Sequence, residues 1–272
     1  MAGQSIETGT EELLCEVEDR VATITFNRPE ARNSLSDTLT PALRRMVLDM
    51  GESDDVGALL ITGVGDAFCS GGNFKEIGGA DNAASESAPM SQDERIVQLK
   101  ERQRTLTGRI AAAPKPVIAA LAGPAAGAGM SIAMACDIRI AADTAFMTTA
   151  YANIGLPGDY GMSWLLARAI GPSRAKDLMF TAERITAKRC LAIGLFNYVV
   201  PKDDLQAFAF DYAKKLANGP TAAFAAMKDN VNFACNYDLL ESLDREAGNM
   251  IQTAGTEDHR RAVRAFIEGR KK

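Results

Sequence analysis

The sequence predicts an α/β protein in which the strands of a mainly parallel sheet alternate with helices. Residues 58–62 and 117–121 are uninterrupted apolar runs, which are typical of strands buried on both faces. A turn of glycine and other small residues follows each run. Right-handed helical crossovers are the simplest connection between parallel strands, so this pattern favours alternating strands and helices.

The other elements of the first half are predicted from apolar spacing, capping residues and turn residues. In chain order we expect strands at 14–18 and 21–26, a helix capped by Ser34 or Ser36 that runs to about Met50, a helix at about 93–112, a helix at 130–135, and strands at 138–142 and 145–148. The stretch 78–92 is rich in Gly, Ala, Ser and acidic residues, so we expect a mobile surface loop there.

After Gly161 the pattern becomes almost entirely helical, apart from a strand-like piece at 198–200. We expect helices that start near Tyr160, Pro172, Thr186, Leu205, Thr221, Tyr237 and Thr256. The domain prediction is therefore a core at 1–200 and a helical C-terminal region at 201–272 that packs on the core or on another subunit.

Composition excludes several classes of protein. At 272 residues the chain can bury a full core, and its net charge of −5 argues against binding nucleic acid. No apolar run approaches the roughly 18 residues that a membrane span needs, and the first ten residues lack the features of a secretory signal. The five cysteines form no C-x-x-C pair, which indicates free thiols in a reducing compartment. We expect a cytoplasmic protein with no membrane or nucleic-acid partner.

Several common catalytic motifs are absent. A dinucleotide-binding fingerprint beginning at Gly127 would need a third glycine where Ile132 stands, and no glycine loop continues into Gly-Lys-Ser/Thr. The sequence contains no Gly-x-Ser-x-Gly. Its single histidine, His259, lies on a polar helical stretch, so we expect neither a Ser-His-Asp triad nor a histidine-based metal site.

Two small-residue turns remain, near Ser70 and Ala128, and each follows a buried strand. A strand that passes through such a turn into a helix leaves backbone N–H groups without partners at the helix start. Small side chains allow another molecule to approach these amides. Two such turns could direct two N–H groups at one carbonyl oxygen, which is the geometry of an oxyanion hole. Tight packing of helix against strand is the alternative explanation.

Five segments together resemble the crotonase superfamily, also called the enoyl-CoA hydratase/isomerase family. They are NRPEARNSL at 27–35, AFCSGGNFKEI at 67–77, IAALAGPAAGAGMSIAMACDIRIA at 118–141, IGLPGDYGMSW at 154–164 and DHRRAVRAF at 258–266. The resemblance implies a ββα spiral core, a helical C-terminal region that forms a homotrimer or a dimer of trimers, and an acyl-CoA thioester as substrate without a further cofactor or metal. It also implies that the backbone N–H groups of Ser70 and Ala128 stabilise a thioester enolate.

The residues that transfer protons depart from the hydratase pattern. The two glutamates that hydratases of this family carry fall on Ser131 and Ala150 in this chain. Asp159 matches the position at which double-bond isomerases place a carboxylate and at which a dehalogenase type has its nucleophile. We therefore expect Asp159 to be the general base of an isomerase, although it could instead cap the helix that follows.

Three alternatives to an isomerase remain open. A weak hydratase would work through Asp159 alone, and a silent acyl-CoA binder would have no activity. An aryl-CoA dehalogenase ranks low, because it needs a histidine near Asp159 and His259 lies in another segment.

Binding of the CoA nucleotide requires local basic groups, because the chain as a whole is acidic. The candidates by resemblance are Arg28, Arg32, Ser70, Gly71, Gly72, Asn73, Lys75 and Phe266, with Arg270, Lys271 and Lys272 reaching the CoA of a neighbouring subunit. Solvated surface charge is the alternative for the basic residues. For Phe266 the alternatives are contact with adenine and packing in the helical core, and we favour the core.

Overall fold

The computed structural model describes residues 3–72 and 90–269, and within these residues it shows a mixed α/β architecture. The predicted α/β class is confirmed. The described strands are β1 (Gln4–Ile6), β2 (Leu13–Glu18), β3 (Val21–Phe26), β4 (Ala58–Gly63), β5 (Val117–Leu121), β6 (Ala125–Ala126), β7 (Ile138–Ala142), β8 (Phe146–Thr148), β9 (Ile185–Thr186) and β10 (Tyr198–Val200).

The main sheet of the described residues has the strand order β1-β2-β3-β4-β5-β7-β10. The strands β1 to β3 form an antiparallel meander, and every pairing from β3 to β10 is parallel. All residues of β4 and β5 are buried, which explains why they read as continuous apolar runs. A second, smaller sheet pairs β6 with β8 in parallel and β8 with β9 in antiparallel orientation.

The α-helices cover the sheet and extend beyond it. The described helices are α1 (Leu39–Glu52), α2 (Gln92–Gln103), α3 (Arg109–Ala112), α4 (Ala128–Ala135), α5 (Met162–Ile170), α6 (Pro172–Thr181), α7 (Ala187–Ala192), α8 (Leu205–Ala217), α9 (Thr221–Ala234), α10 (Leu239–Ala254) and α11 (Glu257–Gly269). A π-helical turn, Arg104–Gly108, joins α2 to α3, so the helix predicted at 93–112 is present with one widened turn.

Helix α8 packs directly on the main sheet. Its Leu205, Ala209, Ala213 and Ala217 lie fully inside the hydrophobic core with strands β3, β4, β5 and β7. By contrast, α9 and α11 contain no buried residue. The C-terminal region therefore begins with a helix of the core and continues with helices whose apolar side chains stay exposed in the single chain. The domain boundary at residue 200 stays a prediction.

Serine side chains account for two of the helix starts. Ser36 Oγ accepts hydrogen bonds from Thr38 N at 3.2 Å and Leu39 N at 2.9 Å, so the serine holds the turn before α1, but the N-cap position itself is Thr38, whose side chain makes no capping bond. Ser91 forms a capping box with Glu94 at the start of α2. Most of the predicted loop 78–92 lies outside the described residues. None of the helices in the described part of the chain combines the length and apolar character needed to cross a membrane.

A partly buried ion pair ties α9 to the main sheet. Lys228 Nζ lies 2.8 Å from Asp137 Oδ2, and the same carboxylate accepts a hydrogen bond from Val117 N at 2.8 Å. Burial raises the pKa of Asp137, and Lys228 is the main group that opposes this rise. The lysine is thus the counter-charge that favours the ionised form of Asp137 beside Val117, the first residue of β5.

We predict that Lys228→Met destabilises the fold at neutral pH by about 2–4 kcal/mol, because it leaves a buried carboxylate without its counter-charge. Without Lys228 the pKa of Asp137 rises further above its unfolded value, so protonation on lowering the pH relieves the penalty. Urea unfolding at pH 7 and pH 5 should show a smaller deficit at the lower pH. Lys214→Met, which breaks an exposed pair with Asp19, is the control and should change stability little. A deficit independent of pH would contradict this account.

Candidate active site

The two small-residue turns lie in direct backbone contact. Ala126 N donates to the Cys69 carbonyl at 3.0 Å, which joins the turn after β4 to strand β6. A β-carbon at Gly129 would lie 2.2 Å from the Cys69 carbonyl oxygen, and one at Gly71 would lie 2.7 Å from the Ala126 carbonyl oxygen. Gly71 also has a φ of +90°. Only glycine permits this approach at either position, so the contact explains the composition of both turns.

The backbone amide of Ser70 does not serve as the predicted oxyanion donor, because it already donates to the Arg32 carbonyl at 3.1 Å. The prediction for Ser70 is therefore corrected. Among the described residues no acceptor is found for the Gly72 N–H. Gly72 pairs with Leu35 as a parallel bridge in which Leu35 N donates to the Gly71 carbonyl, so the Gly72 amide faces away from Leu35. Gly72 is thus the donor that this turn offers.

Ala128 is the first residue of α4, so its N–H has no acceptor within the helix. A β-carbon at Gly71 would lie 3.4 Å from Ala128 N, which shows that the first turn stands beside this amide. A side chain at position 71 would therefore crowd the space in front of it. The two turns bring Gly72 and Ala128 to one pocket, where both line the wall.

This pocket has a volume of about 1030 Å³ and is bounded by the two turns, α1, α2 and the segment 150–160. Its size suits a small-molecule site. The residues that line it include Asp37, Arg44, Gly72, Arg95, Arg102, Ala128, Ala150, Tyr151, Asp159 and Tyr160. Asp37 and Asp159 are the carboxylates that line it within the described part of the chain.

Asp159 accepts a hydrogen bond at Oδ1 from the Tyr151 hydroxyl at 2.6 Å. It does not cap the next helix with its side chain, since α5 begins after Gly161 and no side chain caps it. The capping alternative is therefore excluded. Burial raises the pKa of the Asp159 carboxyl above its ordinary value, and the Tyr151 hydrogen bond opposes that rise. Desolvation dominates, which makes Asp159 a stronger base than an exposed aspartate.

Two positions expected to matter for a hydratase carry no carboxylate. Ser131 is fully buried on α4, and its hydroxyl donates to the Asp159 backbone carbonyl at 3.2 Å. Ala150 lines the pocket with a φ of +60°. The Ser131 hydroxyl also lies near that of Tyr151, where it lowers a tyrosine pKa that burial raises. Ser131 thus holds the backbone of Asp159, and neither Ser131 nor Ala150 can act as a second acid or base at neutral pH.

The candidate nucleotide-binding residues are dispersed. Arg28 is mostly buried, lies 3.3 Å from Glu12 and donates to the Ser34 carbonyl at 2.8 Å, so it holds its own loop together. Arg32 is exposed and lies outside the pocket lining, whereas Gly71 and Gly72 belong to it. Phe266 of α11 is 60% exposed, so core packing within one chain is wrong for it. Asn73, Lys75 and residues 270–272 lie outside the described residues.

The sequence did not single out Tyr151, Arg44, Arg102 or Tyr160. Tyr151 could have been suspected because it follows Ala150, a position assigned to a hydratase glutamate, and lies close in sequence to Asp159. The arginines gave no signal, because they lie on amphipathic helices among other charged residues. His259, in contrast, was placed correctly away from the carboxylate: it lines a separate cavity between α9, α10 and α11.

A pocket in which two backbone amides and one desolvated carboxylate converge is characteristic of an enzyme. The comparison with known families identifies which one. A family model described as enoyl-CoA hydratase/isomerase matches residues 16–272, and the chain belongs to that family. The fold, the acyl-CoA chemistry and the resemblance stated from the sequence are thereby confirmed at the level of the family.

The relatives carry both hydratase and isomerase names. The chain is 36% identical over 259 residues to a Rhodobacter capsulatus protein named "Probable enoyl-CoA hydratase", covering 94% of each chain. It is 33% identical over 258 residues to the 1,2-epoxyphenylacetyl-CoA isomerase of Escherichia coli K12, covering 95% of this chain and 96% of that one. A crystal structure of enoyl-CoA hydratase from Bacillus anthracis superposes with a TM-score of 0.85 at 30% identity, covering 95% of this chain and 96% of the other.

We predict that Tyr151→Phe raises the pKa of the Asp159 carboxyl, because the lost hydrogen bond is the contact that favours its ionised form. The pKa can be read from the carbon-13 shift of the carboxyl group during a pH titration. Tyr212→Phe, remote from the pocket, is the control and should leave the titration unchanged. An unchanged or lowered Asp159 pKa in Tyr151→Phe would show that the hydroxyl does not stabilise the carboxylate.

Proposed function

We propose that this protein is an enoyl-CoA isomerase that moves a carbon–carbon double bond relative to the thioester. The observation that carries the proposal is Asp159, a partly buried carboxylate that lines the pocket, while the two positions assigned to hydratase glutamates are Ser131 and Ala150. Hydration requires groups that orient water and transfer its protons. Isomerisation requires one base that takes a proton and returns it, and one carboxylate suffices for that.

Gly72, Ala128 and Asp159 carry out the proposed reaction. The amides of Gly72 and Ala128 donate to the thioester oxygen and stabilise the negative charge that develops there. Asp159 removes a proton from the α-carbon of a 3-enoyl thioester, and the C3–C4 electron pair remains conjugated with the enolate. The protonated Asp159 then delivers its proton to the γ-carbon, and the double bond comes to lie between C2 and C3. The thioester carries the CoA, and the cycle uses no further cofactor.

The raised pKa of Asp159 supports this role. A base that accepts and returns a proton works best when its pKa is nearer the working pH than that of an exposed aspartate. Burial supplies this change, and the Tyr151 hydroxyl holds the ionised carboxylate in one orientation. Ser131 fixes the backbone of the same residue through its carbonyl.

We also propose that the chain assembles as a homotrimer or as a dimer of trimers through its C-terminal helices. Leu240, Met250 and Ile251 of α10 are 71%, 69% and 76% exposed in the single chain, and Val231 of α9 is 64% exposed. Apolar exposure on this scale marks an interaction surface. Light scattering should give three or six times the chain mass of 29.0 kDa, and a monomer would contradict the proposal.

We predict that Asp159→Asn lowers kcat for isomerisation of 3-hexenoyl-CoA by about 10²–10⁴-fold and leaves thioester binding largely intact, because the amide can bind but cannot accept the proton. Absorbance of the conjugated 2-enoyl thioester reports the reaction. Asp177→Asn, exposed on α6, is the matched control.

Other outcomes of the same assay decide among the alternatives. Full activity of Asp159→Asn would remove Asp159 as the base. Water addition to crotonyl-CoA without isomerisation would identify a hydratase. A wild-type chain that binds the thioester but exchanges no α-proton in heavy water would be a silent binder.

We predict that Ala128→Pro lowers kcat/KM by about 10²–10³-fold, since proline removes one oxyanion donor. Proline is tolerated at the first position of a helix, where the N–H has no helical partner, so α4 should persist in circular dichroism. Ala128→Gly keeps the N–H and should retain activity. If Ala128→Pro is as active as Ala128→Gly, the amide at 128 takes no part in catalysis.

A further inference from the structure

Three arginines line the active-site pocket, although the chain as a whole is acidic. Arg44 lies on α1, and Arg95 and Arg102 lie on α2. Within residues 3–72 and 90–269, no carboxylate forms an ion pair with any of the three. Neither the oxyanion donors nor the base requires a nearby positive charge, so the three arginines must have another role in the pocket.

Arg44 is the most informative of the three. Its Nε atom is shielded from solvent and has no hydrogen-bond acceptor in the described part of the chain. A buried donor without an acceptor is costly, and because Arg44 lines the pocket, a ligand bound there can supply the acceptor that the protein does not. A guanidinium presents parallel N–H donors, which match the two oxygens of a carboxylate.

Tyr160 connects Arg44 to the reaction centre. This residue follows Asp159, has a φ of +51°, and donates its backbone N–H to Gln103 Oε1 at 2.8 Å. A bulky residue with positive φ is strained, and such strain concentrates at functional sites. Arg44 and Arg102 lie close enough to the Tyr160 hydroxyl to oppose the rise in its pKa that burial causes. The backbone turn therefore directs the phenol to the arginines and the neighbouring carboxylate to Tyr151.

We propose that Arg44, flanked by Tyr160 and Arg102, binds a carboxylate at the far end of the acyl group, so that the preferred substrate is a CoA thioester of a dicarboxylic acid. This inference rests on the proposed function, because it takes the acyl carbons to lie beside Asp159. The α-carbon must come within reach of that carboxylate, and a group that contacts the next residue, Tyr160, therefore meets the acyl part of the ligand and not the CoA nucleotide.

An apolar acyl end would leave the shielded Nε of Arg44 without an acceptor. Sites that are built to hydrogen-bond a polar group discriminate strongly against analogues that lack it. The selectivity should consequently appear as a difference between two ligands of equal chain length.

The test is calorimetric binding of two saturated six-carbon thioesters that cannot isomerise, hexanoyl-CoA and the mono-CoA thioester of hexanedioic acid. We expect the wild-type protein to bind the dicarboxylic thioester at least about tenfold more tightly, a difference of about 1.4 kcal/mol. Arg44→Gln should remove this preference, and Tyr160→Phe should reduce it. Arg104→Gln deletes an arginine outside the pocket and should keep the preference.

Two results would overturn the proposal. The first is equal binding of both thioesters by the wild-type protein, which needs no variant and so does not depend on how Arg44→Gln folds. The second is an equal loss for both thioesters in Arg44→Gln that disappears with acyl-pantetheine ligands, because this would assign Arg44 to the nucleotide phosphates. Since neither ligand reacts, failure of the isomerase assignment would show only in the separate turnover assay.

Discussion

The site depends on the backbone contact between the turn after β4 and the start of α4. Gly71 and Gly129 have carbonyl oxygens where any other residue would place its β-carbon, so the two turns meet only because these side chains are absent. The contact sets Gly71 beside the Ala128 amide, and in the proposed mechanism it fixes where Gly72 and Ala128 hold the thioester oxygen. Strands β4 and β5, which lead into the turns, are buried and paired, so the geometry is carried by the most rigid part of the sheet.

Two opposed effects set the pKa of the Asp159 carboxyl. Removal of water from Asp159 raises its pKa, and the Tyr151 hydroxyl limits the rise. Without a hydrogen-bond donor the pKa of the partly buried Asp159 would lie higher and less of the carboxyl would be ionised to act as a base, whereas a well-solvated aspartate would bind its proton too weakly to remove one from carbon. Ser131, at a position where a second carboxylate would raise the Asp159 pKa further by repulsion, contributes only a neutral hydroxyl.

Much of the fold could be predicted because long apolar runs determine it. The strands at 58–62 and 117–121 and the helices after Gly161 follow from such patterns. The two-residue strands β6 and β9 could not be predicted, since their pairing depends on distant partners. The same reason explains why the sequence suggested the wrong donor at Ser70. The backbone N–H of Ser70 donates to the Arg32 carbonyl, and this hydrogen bond forms only once the loop 27–33 has folded against the turn. The grouping of Arg44 with Tyr160 likewise arises only in three dimensions.

The pocket separates proton transfer from the recognition of charge. The pKa of Asp159 is governed by burial and Tyr151, whereas Arg44 and Arg102 act on the pKa of Tyr160. If the arginines stood against Asp159, their charge would lower its pKa and weaken the base. Asp159 contacts Tyr151, whereas the next residue, Tyr160, lies near Arg44 and Arg102. The arginines can therefore select an anionic acyl end without lowering the pKa of Asp159. The strained backbone at Tyr160 is what keeps the two functions apart, since an ordinary φ there would change the direction of its side chain.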